Sequence, residues 1–199
     1  MYGSEPSTSP LRSEIAAAAA RLIADSGLNY AAAKQKAARQ ILGEGRNPKG
    51  LMPDNDEVEA ALREHLDLFD EEHGQRVARM RAVALALMQW LEPFRPLATG
   101  AVWKGLATEH ATIHLQLFCD NTKDVQFLLI DRGVQFDAVT VPHFRTRQDI
   151  EGFVFQWQRE PVLLSVYPHD DQRGALRAGA GGPERGDRQS LSALIESAE

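Results

Sequence analysis

The chain has 199 residues, 43% of them hydrophobic and 25% charged, with a formal net charge of −6. Those values suit one domain with a substantial core, or a small α/β domain carrying a helical appendage; no apolar run reaches the roughly 18 residues that a membrane span needs. Cys119 is the single cysteine, which excludes an internal disulfide and a multi-thiolate zinc site and reads as a structural thiol.

The opening MYGSEPSTSPLRSE has no apolar stretch behind a basic start, so no signal peptide is expected and the expected compartment is the cytoplasm. Its first 12 residues are rich in Ser, Pro and Thr and are expected to be disordered. Charge is uneven. Residues 1–52 carry seven Lys/Arg against four acids, a net +3, so the remainder carries −9.

Ser13 offers an N-cap to a helix over EIAAAAARLIADS, with Gly27 as its stop. Asn29 can cap a second helix, YAAAKQKAARQIL, ending at Gly43. Joined by Gly-Leu-Asn, the pair forms a helical hairpin similar to the opening of tetracycline-repressor-type DNA-binding domains. A plain packing unit is the favoured reading, because a recognition helix must present side chains to base edges. Residues 44–53 read as a linker. Asp54 and Glu57 form a capping box before VEAALREHLDLFDEEH, with Val58, Ala61, Leu62, Leu66 and Phe69 as the buried stripe and Gly74 as the end. His65 and His73 lie eight apart without a third ligand and read as surface or edge histidines. The next helix, Gln75 to Leu91, buries Val77, Met80, Ala84, Leu87, Met88 and Leu91, and Pro93 and Pro96 force an extended exit.

Beyond Pro96 the period changes from 3.6 to two. Leu97–Trp103 reads as a strand, 104–110 as a loop, and Thr112–Phe118 as a strand with Ile113, Leu115 and Leu117 on one face and Thr112, His114 and Gln116 on the other. Asn121 and its neighbours cap a helix over KDVQFLLIDR, and Val134–Val141 returns to strand. Phe153–Gln158 and Val162–Tyr167 read as a hairpin about Arg159-Glu160, with Phe153, Phe155 and Trp157 on a core face. Every strand is expected between 97 and 167. From residue 171 a flexible tail is expected, with SLSALIESA as a short helix. The resulting organisation is a disordered 1–12, a helical region 13–74, an α/β core 75–170 and a tail 171–199. The fold class is α+β: a helical N-terminal region followed by a small mixed sheet.

The stretch from about 75 to 167 resembles the nucleotidyltransferase core. In that family a helix leads into a strand carrying a small pair such as Gly-Ser. Two acids one residue apart follow on the next strand, with a third acid on a later one, and these hold divalent metal against nucleotide phosphates. Gly100-Ala101 stands where the small pair belongs, His114 and Gln116 where the first two acids belong, and Asp137 is the candidate for the third. His and Gln bring no negative charge, whereas magnesium prefers carboxylate oxygens. The resemblance therefore implies a degenerate member without a metal site, with catalytic residues unassigned.

Other signals are weaker. Tyr167-Pro168-His169-Asp170-Asp171 reads as a polar turn, and Ser165 with His169 would suggest a hydrolase only with suitable geometry, since no Gly-x-Ser-x-Gly elbow exists. No Gly-x4-Gly-Lys-Ser/Thr phosphate loop is present. The expected function is a non-catalytic binding or regulatory module with a nucleotide or protein ligand. Candidate ligand contacts are Gly100, Ala101, Thr112, His114, Gln116 and Asp137, which are expected to line a metal-free pocket. The alternatives are an active nucleotidyltransferase with a divergent site, the one case that calls for magnesium, and a DNA-binding regulator using the first helices. No cofactor and no membrane partner are expected, nucleic acid is disfavoured but open, and the oligomeric state is not legible.

Overall fold

The computed structural model describes residues 9–43, 50–146, 148–176 and 182–197. The chain forms two units, Met1–His73 with Thr108–His110, and Gly74–Ala107 with Ala111–Glu199.

In the first unit, helix α1 spans Pro10–Ser26 and begins before the expected Ser13. Pro10 occupies the first turn, where its missing N–H has no partner to lose. Residues 10–12 are thus helical rather than disordered, and 1–8 lie outside the described residues. Helix α2 (Tyr30–Leu42) is capped as expected, the Asn29 side chain accepting from Ala32 N at 2.9 Å. Helix α3 (Asn55–Phe69) has the expected capping box: Glu57 N donates to Asp54 Oδ1 at 2.9 Å and Asp54 N to Glu57 Oε2 at 2.7 Å. α1 packs against both, burying Ile15, Ala19 and Ala20 with Ala33, Ala37, Val58, Leu62 and Leu66. Arg12 Nε donates to Glu57 Oε1 at 2.7 Å and ties α1 to α3. The expected linker at 44–53 lies outside the described residues up to 49. Two expectations fail at the end of α3. Phe69 is 73% exposed because the helix stops beside it, and His73 is buried rather than at the surface.

In the second unit, helix α4 (His73–Trp90) buries Val77, Met80, Val83, Ala84, Leu87 and Met88. Gly74 lies in its first turn instead of closing α3. Burying a Leu or Met fully contributes about 2–3 kcal/mol before entropy costs, so this stripe holds the helix to the sheet. Strand β1 is short, Leu97–Thr99, because Gly100 takes φ +71 and turns the chain out of the extended region. Residues Gly100–Lys104 form helix α5 rather than the rest of a strand, and bury Val102 and Trp103. Then come β2 (Ile113–Phe118), α6 (Thr122–Asp131), β3 (Asp137–Pro142), β4 (Asp149–Trp157), β5 (Glu160–Tyr167), β6 (Arg185–Gly186) and α7 (Arg188–Glu196). β3 starts after the expected Val134, whose N–H still bonds to Leu129 O at the end of α6. β6 lies outside the range in which every strand was expected. With α7 it gives structure to part of the stretch expected as flexible tail; residues 177–181 and 198–199 are not described.

The β4–β5 turn falls at Gln158 and Arg159, both left-handed with φ 51 and 70, one residue before the expected position. Glu160 consequently opens β5 from a buried site, where it accepts from Arg79 Nε at 2.6 Å.

The sheet order is β3-β4-β5-β2-β1-β6. β2 and β5 run parallel and the other neighbours antiparallel, so the sheet is mixed and the class is α+β. One face is the core: Ile113, Leu115, Leu117, Phe153, Phe155, Val162, Leu164 and Val166 join the buried faces of α4 and α6 and Leu191 of α7. Among the described residues no helix is long and apolar enough to cross a membrane.

Candidate functional site

Residues paired across a sheet point to the same side. The register therefore defines the face away from the core as rows. One row reads Asp137, Val154, Leu163, His114, Thr99, Arg185. The next reads Val139, Gly152, Ser165, Gln116, Leu97. Phe118 and Tyr167 stand one step further along.

Polar groups on this face bond to one another. His114 Nε2 and Ser165 Oγ are 2.7 Å apart. Gln116 Nε2 donates to Tyr167 OH at 3.4 Å. Ser165 is fully buried and Gln116 nearly so, yet Gln116 Oε1 has no hydrogen-bond partner. Burial lowers the His114 pKa from 6.5 to about 4, with the nearby Arg185 cation as a second cause. Burial likewise pushes the Tyr167 phenol up. All four side chains are therefore neutral near pH 7. Gly100, at the mouth of α5, faces this row: a Cβ placed there would sit 3.8 Å from His114 Cβ.

A Ser–His pair at 2.7 Å has the spacing of a nucleophile and its base. It lacks the rest of that chemistry. A base with a pKa near 4 draws protons weakly at neutral pH, and Ser165 is 0% exposed. Among the described residues no carboxylate bonds to His114 to orient it. Ser165 does not pair with His169, as the sequence reading required for a hydrolase.

One edge of this face is closed by aromatic side chains. Phe144 packs edge-on against Tyr167, centroids 4.8 Å apart, and His143 stacks on Phe144 at 5.1 Å. His143 Nδ1 accepts from Arg145 N at 2.9 Å and Thr146 N at 3.2 Å, so its proton sits on Nε2 and is donated to Asp171 Oδ2 at 3.0 Å. Arg185 lies over Phe144 with Cζ 4.3 Å from the ring centroid.

The six residues expected together separate into two places. Gly100, Ala101, His114 and Gln116 belong to the β1–α5–β2 corner. Asp137 shares His114's row but stands three strand spacings away, about 14 Å, on the far edge of the sheet. Thr112 precedes β2 and lines, with Asp137, a separate hollow of about 810 Å³ that also includes Arg132, Gln135 and Trp157. A second hollow, of about 730 Å³, lies by Arg95, Leu97, His169 and Arg173. His114, Gln116, Gly100 and Ala101 line neither. Among the described residues no three His, Cys, Asp or Glu side chains are grouped to hold a metal ion. Sequence reasoning missed Tyr167 as a member of the network and Arg185 as the charge that acts on His114. Tyr167 could have been found from its period-two place on β5; Arg185 had no signal, since its strand is two residues long. Cys119 is buried, with Sγ 3.0 Å from Asn121 O, as a structural thiol.

Comparison with protein-family models, with curated proteins and with solved structures finds no match to this chain.

Proposed function

We propose that the sheet unit is a nucleotidyltransferase-like module that has lost metal-dependent catalysis and works by binding, with a nucleotide as its ligand. The order of elements supports this reading. A helix, α4, leads into β1; the small pair Gly100-Ala101 follows at once; β2 returns antiparallel with His114 facing Gly100 and Gln116 one step on. The observation that carries the loss of catalysis is that His114 and Gln116, the two positions where the resemblance calls for carboxylates, are neutral and bonded to Ser165 and Tyr167. Neutral donors and acceptors can read a base or sugar, but they cannot gather magnesium.

A transfer assay tests it. With labelled ATP, magnesium and the full chain, no nucleotide should pass to protein, nucleic acid or small acceptor. Magnesium-dependent transfer that disappears in His114→Ala would overturn the proposal and make the protein an enzyme.

A further inference from the structure

We infer that the corner between β6, Phe144 and β2 is an anion site in which Arg185, not a metal, holds a phosphate group of the ligand. This inference rests on the binding reading above and names the charge that the reading lacks.

The first ground is a cation without an ion-pair partner. Among the described residues no carboxylate forms an ion pair with Arg185; its neighbour Glu184 is engaged by Lys104 Nζ at 3.0 Å. Burial lowers the Arg185 pKa, so its charge stands in a place that costs energy. Glu184 eases this only in part and the neighbouring Arg145 cation adds to it, while His114 and Tyr167 are neutral and Asp171 is taken by His143. Asp137, the acid on the same row, is five strand spacings away, about 24 Å.

The second ground is a complementary pair of orphaned atoms. Arg185 Nε and Gln116 Oε1 are both buried without a hydrogen-bond partner. One is a donor and the other an acceptor, and leaving both unmet costs about 1–3 kcal/mol each. A phosphate group answers both: its oxygens accept from guanidinium N–H groups, and a P–OH or the adjoining sugar hydroxyl can donate to the amide oxygen. Stacking on Phe144 covers the face of the guanidinium, so contacts to a phosphate would be made at its N–H edge.

The third ground is how firmly the arginine is placed. Thr99 Oγ1 donates to Glu184 O at 2.9 Å and Trp103 Nε1 to Pro183 O at 2.7 Å. Gly186 lies so close to the Trp103 indole that a Cβ there would fall 2.0 Å from Cη2. The strap 183–186 is pinned on both sides of Arg185, which sets its side chain beside Phe144.

The test follows the Arg185 Nε–H resonance of the ¹⁵N-labelled full chain in EDTA, with inorganic phosphate and then ATP as probes and sodium chloride at matched ionic strength as control. Arg185 Nε–H and the Gln116 side-chain amide should shift together and saturate with either probe, and not with chloride. Arg185→Lys, which keeps the charge but loses the fork, should weaken binding about tenfold. If Arg185 Nε–H stays unmoved by both probes, or moves only as it does in chloride, the inference is overturned. ATP binding that shifts other residues and leaves Arg185 untouched sinks this inference while the binding reading stands; magnesium-dependent transfer sinks the reading itself.

Discussion

His114 and Ser165, 51 positions apart in the chain, share a 2.7 Å hydrogen bond between Nε2 and Oγ across the parallel strands β2 and β5. The bond places a neutral imidazole and a buried hydroxyl at the centre of the sheet face that Gly100 borders. It also makes the site sensitive to protons, since His114 keeps its place only while uncharged.

That sensitivity has a definite sign. Unfolded, His114 titrates at its ordinary 6.5; folded, at about 4. Between those values the unfolded chain binds a proton that the folded chain refuses. Stability is therefore intact above pH 6.5 and falls as the pH drops towards 4. The full effect is about 3 kcal/mol. Urea unfolding at pH 7.5 and 4.5 should show the wild type losing about 2–3 kcal/mol more than His114→Gln. Equal losses in the two proteins would mean His114 titrates normally.

Gly186→Ala should dislodge the strap that carries Arg185. The new Cβ would meet the Trp103 ring at 2.0 Å, and either the indole or the strap must shift. The expected cost is about 2 kcal/mol or more, with a change in Trp103 fluorescence as the Pro183 hydrogen bond is lost. An unchanged midpoint and spectrum would show that the strap is loosely held.

The β4–β5 turn offers a gain instead. Gln158 and Arg159 both adopt left-handed backbone, which Asn-Gly takes with less strain. Changing the pair to Asn-Gly should raise stability by about 1 kcal/mol, read by thermal unfolding. A loss would mean that these side chains make contacts worth more than the strain.

The helical pair α1–α2 should not bind DNA in the manner of a repressor. Lys34 Nζ is already engaged by Asn55 Oδ1 at 2.8 Å, and α1 spends its apolar face on α2 and α3. Duplex binding near micromolar at physiological salt, steeply salt-dependent and lost in Lys34→Glu, would restore the regulator reading.

The sequence showed most where periodicity was long. α2, the α3 cap, the buried stripe of α4 and the alternation of β2 all stand where their residues put them. Short elements were not legible. Gly100–Lys104 is too brief for a helical period to show and its apolar residues read equally as strand, so only the left-handed Gly100 decides it. β6 has two residues and no alternation. The turn was placed one residue late because Gln158-Arg159 lacks the Asn-Gly signature. At the site, β2 alternation put His114 and Gln116 on one face, but their partners depend on a parallel register between distant segments. That register brings Ser165 and Tyr167 to them and leaves Asp137 across the sheet.

The most direct test of metal-free nucleotide binding is a calorimetric titration of ATP into the full chain, once in EDTA and once in excess magnesium. Saturable binding in EDTA, no tighter when magnesium is added and weakened by Gln116→Leu, is the expected result. Binding that appears only with magnesium would contradict it, because among the described residues no carboxylate bonds to His114 or Ser165, and Asp137 stands three strands away, too far to share in holding the ion there.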